Sequence, residues 1–454
     1  MGKGKMSINR LINYLKGVMF LAFPIVLQRI VELVVTLIDN LMVGQLGDIP
    51  VASCSLVNSF NLLYICACGG VVSAGVIIAA QAWGAGNKDI IRRTVNGCLL
   101  ASSIVALLFF TISQVFPQVV IRLYTNKDYL IEPASNYLRI IAFSFFPYAL
   151  TSTYTNILRT TGSTRFGFIV ETINSLINAA LNYVLIFGNF GFPALGLTGA
   201  GIATVIARCI GLLITIVYVY VFDKKLGMRI TDRFILPDRK LWKSLVEHGT
   251  PILLSDSWMM LNSSFQTMIT GRVSDSYIAA NSIVHMIWQI AAFTMFGISA
   301  AAAISIGNSI GEGNIEEAYD EGDMIVILCL IQGIVAAIVI QIIAPILIPL
   351  YKVSDAVALT ARRMCYSASF VVFTMTFSMV IAQGLTRAGG MTKKYMIVEI
   401  LTTFCFSLPL GYIAAFFLKL PEYLIYIIIR SDNILKTIWG CYHVKKRDWI
   451  TKIV

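Results

Sequence analysis

Residues 84–87 read Gly-Ala-Gly-Asn and residues 311–314 read Gly-Glu-Gly-Asn, so the same pattern recurs 227 positions later. The same offset relates four further pairs, which are Pro24 and Pro251, Gly44 and Gly271, Ala52 and Ala279, and Ser55 and Ser282. Farther along, an offset of 228 pairs Arg159 with Arg387, Gly162 with Gly390, Thr164 with Thr392, and Glu171 with Glu399. A drift of one residue over so many matches indicates an internal duplication.

The composition predicts that both copies lie in a membrane. Of the 454 residues, 57% are apolar and 13% are charged, and the mean hydropathy is +0.78. A soluble globular chain carries about 25% charged residues. Apolar runs of about twenty residues recur along the chain, and an α-helix needs that length to cross a bilayer. The sequence therefore predicts an all-α polytopic membrane protein.

We predict twelve transmembrane helices, six in each copy of the repeat. Their expected ranges are 18–43, 51–80, 94–118, 134–158, 166–188, 196–222, 245–270, 278–306, 323–350, 357–383, 395–418 and 421–441. Because six is even, both copies enter the membrane from the same side. The two six-helix bundles are then related by a pseudo-two-fold axis along the membrane normal, an architecture typical of transporters. The expected domains are an N-terminal lobe 1–222, a basic linker 223–243 and a C-terminal lobe 244–454.

The net charge of +11 predicts an orientation rather than a nucleic-acid partner. Most Lys and Arg residues lie in the two tails and the even-numbered loops, and seven of them lie in the linker 223–243. Cytoplasmic loops of membrane proteins carry such an excess of positive charge. The acidic loop 311–320 breaks the trend, but acidic residues contribute little to orientation. We therefore expect both termini and the linker in the cytoplasm.

Polar side chains inside three predicted helices form a candidate cation site. Gln28, Glu32, Thr36 and Asp39 share one helical face of the first span, and Asn174, Asn178 and Asn182 share one face of the fifth. With a rise of about 1.5 Å per residue, Asp39, Asn182 and Thr204 lie roughly 8 to 12 Å from the outer helix ends.

The polar residues of this candidate site suit either of two coupling ions. Oxygen ligands favour Na⁺ at Asp39, Asn178 and Asn182, with Thr204 beside them. A desolvated Asp39 can instead take up a proton. In a purely structural alternative, the Asn residues join helices by hydrogen bonds.

Charged residues in the first and seventh spans are candidates for gating. Asp256 is the repeat counterpart of Arg29, so we expect the two at equal depth and hypothesise that they form a contact between the lobes. In the alternative, Arg29 pairs with Glu32 one turn away, and Asp256 contacts a cationic substrate.

The seventh and eighth spans are rich in Met and aromatic residues. Met259 and Trp288 are candidates to contact amphipathic cations by dispersion and cation–π interactions, and ordinary packing is the alternative.

Four motifs in order resemble the multidrug and toxic compound extrusion (MATE) family. They are Asp39-Asn-Leu-Met-Val-Gly44, the repeated Gly-x-Gly-Asn, the pair Arg159-Thr-Thr-Gly162 and Arg387-Ala-Gly-Gly390, and the stretch from Leu181-Asn-Tyr-Val to Thr204. The resemblance covers essentially the whole chain.

The resemblance implies secondary antiport that exports cationic amphipathic drugs or metabolites in exchange for H⁺ or Na⁺. It places the cation site on Asp39, Asn178, Asn182 and Thr204, although the members for which this site is best understood have Asp where this chain has Asn182. We also expect a monomer without cofactors in the plasma membrane, which is the inner membrane of a bacterium.

A flippase for a lipid-linked precursor or polysaccharide intermediate is the main alternative function. An enzyme is not expected, because the three His residues and nine Cys residues form no catalytic or zinc pattern. No Gly-Lys-Ser/Thr follows the Gly-x-Gly-Asn loops, which excludes a phosphate-binding loop for ATP at these positions.

Overall fold

A computed structural model describes residues 8–228, 235–351 and 353–451, without the side chains of residues 8–11 and Asp275. Residues 1–7 of the expected first lobe and residues 229–234 of the expected linker therefore lie outside the described residues. The regular structure of the described ranges is entirely helical. This agrees with the physics of a bilayer, where a helix satisfies its backbone polar groups internally.

The α-helices follow one another along the described ranges. They are α1 (Ile8–Gly44), α2 (Asp48–Gly84), α3 (Lys88–Val115), α4 (Pro117–Arg122), α5 (Asp128–Ala142), α6 (Phe145–Thr160), α7 (Thr164–Phe187), α8 (Gly196–Val217), α9 (Arg239–Thr270), α10 (Asp275–Gly311), α11 (Ile315–Leu347), α12 (Asp355–Val380), α13 (Thr392–Leu401), α14 (Leu408–Tyr412), α15 (Glu422–Ile428) and α16 (Asp432–Lys446). Segments of π-helix extend α8 and α12 and connect the helices between Thr392 and Phe417.

Nine helical segments of the described chain are long and apolar enough to cross a membrane. The other three predicted spans also coincide with helices, but two of these are interrupted. The fourth span divides into α5 and α6, and the last divides into α15 and α16. The seventh predicted span lies on α9, a helix of 32 residues. The multi-span helical fold predicted from the sequence is confirmed.

The interruption of the fourth span has a local cause and local compensation. Phe143 and Ser144 donate to carbonyls three residues back, which tightens the chain at the end of α5. Pro147 stands in the first turn of α6, where a missing backbone N–H costs little. The Tyr64 hydroxyl donates a 2.6 Å hydrogen bond to the Phe145 carbonyl, so this buried carbonyl next to the break has a hydrogen-bond partner.

The two Gly-x-Gly-Asn motifs form the turns that connect α2 to α3 and α10 to α11. Gly86 has φ +69° and Gly313 has φ +84°, a left-handed backbone that glycine adopts without strain. Asn87 also caps α3, because its side chain accepts a 3.1 Å hydrogen bond from the Ile90 backbone.

The chain forms two compact units. Unit 2 is Leu27–Leu253, and unit 1 combines Met1–Val26 with Leu254–Val454. The division therefore falls inside α1 and α9 rather than at the linker 223–243. Pro24 and Pro251, which are repeat counterparts, stand just before the two division points and each remove a helical hydrogen bond.

Local packing explains why these helices divide. Val18 and Ala22 of α1 belong to a buried cluster with Ala292 and Met295 of α10. In unit 2, Leu253 of α9 packs closely against Gly70 of α2, where a side chain on residue 70 would meet it. The expected lobes 1–222 and 244–454 thus differ from the observed units at the first residues of α1 and α9.

Candidate functional site

Helices α1, α7 and α8 of unit 2 bring the predicted cation-site residues together. Asn182 of α7 is buried, with 2% of its surface exposed, and its Nδ2 donates a 2.8 Å hydrogen bond to Asp39 Oδ1 of α1. Asn178 lies one turn before Asn182, and Thr204 of α8 lies beside Asn178. The helical stripes in the sequence thus meet in three dimensions.

The Asn178 amide bridges Asp39 and Thr204. One terminal atom of this amide lies 2.9 Å from Asp39 Oδ2, and the other lies 3.1 Å from Thr204 Oγ1. With its nitrogen towards Asp39, the amide donates to the carboxylate while its oxygen accepts from the Thr204 backbone N–H at 3.2 Å. With its oxygen towards Asp39, the amide accepts from Asn182 Nδ2 at 3.4 Å, and two oxygens then lie 2.9 Å apart. That second arrangement requires a proton or a cation between the oxygens.

The donor set fits a small cation. Asp39 offers two carboxylate oxygens, and Asn182 Oδ1 is buried without a hydrogen-bond partner. The Thr204 hydroxyl donates to the Ala200 carbonyl at 3.0 Å, so its lone pairs remain able to accept. Hard cations such as Na⁺ take oxygen ligands of these kinds, and a carboxylate is also a proton acceptor.

A polar cavity of about 270 Å³ opens onto these residues within unit 2. Its lining includes the carboxylates Glu32 and Asp39 and the guanidinium of Arg208. Sequence analysis missed Arg208, although it follows Thr204 by one helical turn on the same face of α8. Arg208 Nη1 donates to Ser144 Oγ at 2.8 Å, and its guanidinium lies 4.9 Å from the centre of the Tyr148 ring. Because Ser144 lies at the break between α5 and α6, the break helps to position the Arg208 guanidinium.

A second group of contacts involves Gln28, Arg29 and Glu32, which precede Asp39 on α1. Gln28 is buried, donates to Glu32 Oε1 at 2.8 Å and accepts from Arg159 Nη2 at 2.5 Å. Arg29 pairs with Glu32 at 2.9 Å, as in the alternative within one helix. Glu32 is therefore held by both Gln28 and Arg29, while its position places it in the cavity wall.

In unit 1, Asp256 has a partner that sequence analysis did not assign to it. Arg387 Nη2 lies 2.7 Å from Asp256 Oδ1, and the two side chains are only 16% and 22% exposed. Arg387 is the repeat counterpart of Arg159, so equivalent arginines reach α1 in one unit and α9 in the other. Arg29 and Asp256 each find a partner inside their own unit, and the hypothesised contact between them stays a prediction.

The candidate substrate residues Met259 and Trp288 lie in different environments. Met259 is 43% exposed on α9. Trp288 on α10 is half-buried and packs against the hydrophobic core, with its ring 5.7 Å from that of His285. The structure therefore does not bring these two side chains into one described cluster.

Sequence analysis also did not predict a buried network of charged residues in unit 1. Lys436 Nζ lies 2.8 Å from Asp432 Oδ2 and 3.5 Å from Glu399 Oε1. All three side chains are less than 10% exposed, and Ser255 donates a short hydrogen bond to Glu399. The spacing of Asp432 and Lys436 by four residues was the available signal, because such residues face each other on a helix.

Comparison with known proteins adds the family. A model of the MatE family matches residues 24–184 and 251–413, one segment in each copy of the repeat. The probable multidrug resistance protein NorM of Halalkalibacterium halodurans is 25% identical over 422 residues, covering 90% of this chain and 89% of its own length. The multidrug resistance protein MdtK of Yersinia enterocolitica is 22% identical over 410 residues and covers 90% of this chain and 89% of its own.

Solved structures share the fold. A mutant of the Vibrio cholerae MATE transporter VcmN has a TM-score of 0.86 at 19% identity, covering 96% of this chain and 97% of that one. An outward-facing multidrug resistance MATE transporter has a TM-score of 0.84 at 19% identity, with coverage of 95% and 96%.

Proposed function

This chain belongs to the MatE family, and from that premise we propose that it is a secondary active antiporter. It exports cationic amphipathic drugs or metabolites in exchange for H⁺ or Na⁺. The observation that carries the proposal is the Asp39 carboxylate held between Asn178 and Asn182 in a polar cavity of unit 2. An ionisable group among transmembrane helices is costly and points to an ion or substrate pathway.

Neutralisation of Asp39 supplies the coupling step. When Asp39 is charged, the amides of Asn178 and Asn182 both donate to it and tie α7 to α1. A bound proton or Na⁺ removes the need for these donors, and the Asn178 oxygen then faces the carboxylate. The ion thus changes which hydrogen bonds join the two helices, which biases an equilibrium between two arrangements.

The remaining predicted residues contribute to the substrate path. Arg29 and Glu32 form an ion pair on α1, and Glu32 lines the same cavity as Asp39. In unit 1, Asp256 supplies a charge and is paired with Arg387. The aromatic ring of Trp288 and the thioether of Met259 supply polarizable surface. Such surfaces suit amphipathic cations of varied shape.

The excess of Lys and Arg in the tails and linker supports an orientation with both termini in the cytoplasm. The protein acts as a monomer in the lipid bilayer of a bacterial inner membrane, and it needs no resident cofactor.

The test is dye transport in reconstituted vesicles. Purified protein is placed in liposomes, a fluorescent cationic dye is added, and either a Na⁺ gradient or a pH gradient is imposed alone. The expected result is dye movement under one gradient, lost in Asp39→Asn. No movement under either gradient, with folded protein in the vesicles, contradicts antiport and favours the flippase alternative, which a lipid-linked substrate assay then examines.

A further inference from the structure

Unit 1 contains a second polar cavity that the proposed ion coupling does not use. It encloses about 320 Å³ between the ends of α9 and α10 and the turn that joins α15 to α16. Every residue that lines it is polar, and among the described lining residues none carries a carboxylate. Its two ionisable side chains are His285 and Arg430. The cavity is therefore positive in character.

This cavity is the repeat counterpart of the Asp39 cavity. At the constant offset of 227, six lining residues of unit 2 correspond to six lining residues of unit 1. The pairs are Thr36 and Ser263, Asp39 and Gln266, Asn40 and Thr267, Val43 and Thr270, Cys54 and Asn281, and Asn58 and His285. The duplication has thus kept the cavity while its lining has changed.

The changes alter the charge of the cavity. The carboxylate of Asp39 is replaced by the neutral amide of Gln266, and the amide of Asn58 is replaced by the imidazole of His285. Arg430 adds a guanidinium from the turn after α15. A site that favours a cation in unit 2 has become one that repels cations in unit 1.

Arg430 lines the cavity and is held in place by two tyrosines, Tyr426 and Tyr277, the second through a side-chain hydrogen bond. Its guanidinium lies 3.9 Å from the centre of the Tyr426 ring, and Nη1 donates to the Tyr426 carbonyl at 3.4 Å. No Asp or Glu side chain of the described residues lies within ion-pair distance of Arg430. Gln266 fixes the same turn, because its Nε2 donates to the Ile429 carbonyl at 3.1 Å. A positioned guanidinium with spare N–H groups is a receptor for carboxylates and other small anions.

We propose that this cavity binds a monovalent anionic group, either a carboxylate of the transported molecule or a free chloride ion. Arg430 makes the charge-assisted contact, and His285 and the hydroxyls of Ser263 and Ser282 complete the polar wall. The carboxylate case rests on the proposed export function, and it extends the substrates from cations to zwitterions. The chloride case requires only the cavity.

Binding is measured on purified protein in detergent, without any ion gradient. The probes are a rhodamine with a free carboxylate, its methyl ester, and sodium chloride against sodium gluconate at equal ionic strength. Dye binding is followed by fluorescence anisotropy, and anion binding by the thermal unfolding midpoint. The variants are Arg430→Gln, Ser282→Asp, which places a carboxylate at an exposed position of the cavity, and the control Arg363→Gln, which removes an exposed arginine of the same unit.

Two results support the proposal and identify the anion. If the ligand is a substrate carboxylate, the free-acid dye binds about tenfold more weakly to both cavity variants, while the ester binds all proteins equally. If the ligand is chloride, the chloride salt raises the unfolding midpoint of the wild type and the control but not of the cavity variants.

One result overturns the proposal. If both cavity variants match Arg363→Gln with both dyes and in both salts, the cavity binds no anion. Should Arg430→Gln fail to fold, Ser282→Asp alone decides, because its side chain is exposed. None of these readouts requires antiport, so a failure of the vesicle experiment above leaves their interpretation unchanged.

Discussion

Asn182 Nδ2 donates a 2.8 Å hydrogen bond to Asp39 Oδ1, which joins α7 to α1 inside unit 2. The donor is almost fully buried, and its own oxygen has no partner. A buried carbonyl oxygen without a partner is costly, so the pair is poised to accept a cation.

Asn182→Asp should strengthen cation binding. A second carboxylate beside Asp39 raises the local negative charge and supplies another ligand oxygen, so we expect the Na⁺ concentration for half-maximal transport to fall about tenfold. The measurement is dye export from vesicles over a series of Na⁺ concentrations. Asn189→Asp, outside the cavity at the end of α7, is the control. Where Na⁺ drives export by the wild type, an unchanged Na⁺ dependence in an active Asn182→Asp variant contradicts the cation-site assignment; where H⁺ drives export, the same comparison is made over a series of pH values.

Thr204→Val should weaken ion coupling because it removes the hydroxyl that contacts the Asn178 amide. A neutral hydrogen bond contributes about 1 kcal/mol, so we expect roughly a fivefold loss of apparent ion affinity. Thr204→Ser keeps the hydroxyl and should retain the wild-type affinity. Thr215→Val on the same helix removes a hydroxyl that bonds only its own helix, through the Gly211 carbonyl. Equal effects of the two valine substitutions contradict a specific role for Thr204.

Lys436→Met should destabilise unit 1, because it leaves the carboxylates of Asp432 and Glu399 buried without their cation. Breaking a buried ion pair in this way costs about 3–5 kcal/mol. We expect a clear fall in the thermal unfolding midpoint in detergent, whereas the exposed Lys445→Met leaves it unchanged. The double variant Lys436→Met with Asp432→Asn should recover part of the loss. An equal fall in the double variant contradicts the charge explanation.

Asp256 and Arg387 should be coupled energetically, since they form a 2.7 Å ion pair in a mostly buried setting. In a double-mutant cycle with Asp256→Asn and Arg387→Gln, we expect a coupling free energy of about 1–3 kcal/mol in unfolding. Additive effects of the two substitutions contradict a direct interaction. Transport by the same variants then separates a role in folding from a role in substrate contact.

The sequence located much of the candidate cation site and little of its surroundings. Asp39, Asn178, Asn182 and Thr204 follow from helical spacing and from the family resemblance, and they meet in the structure. The sequence did not predict that Arg387 is the partner of Asp256, because the two residues lie 131 positions apart. The distance from Arg387 to α9 depends on how α12 continues past its π-helical segment. Sequence periodicity shows which residues share one face of a helix, but it does not show which neighbouring helix that face contacts.

The amino-acid sequence by itself determined that the chain is a duplicated helical membrane protein, since twenty-residue apolar runs and a constant offset are properties of the chain. Only the tertiary structure decided that the residues before Val26 of α1 pack with α10, and that the two repeat-related cavities differ in charge. The reason is physical, because both arginines reach their cavities through contacts between segments that are far apart in the chain. Arg208 of α8 donates to Ser144, 64 residues away, and Arg430 lines one cavity together with Ser263 of α9 and Asn281 of α10.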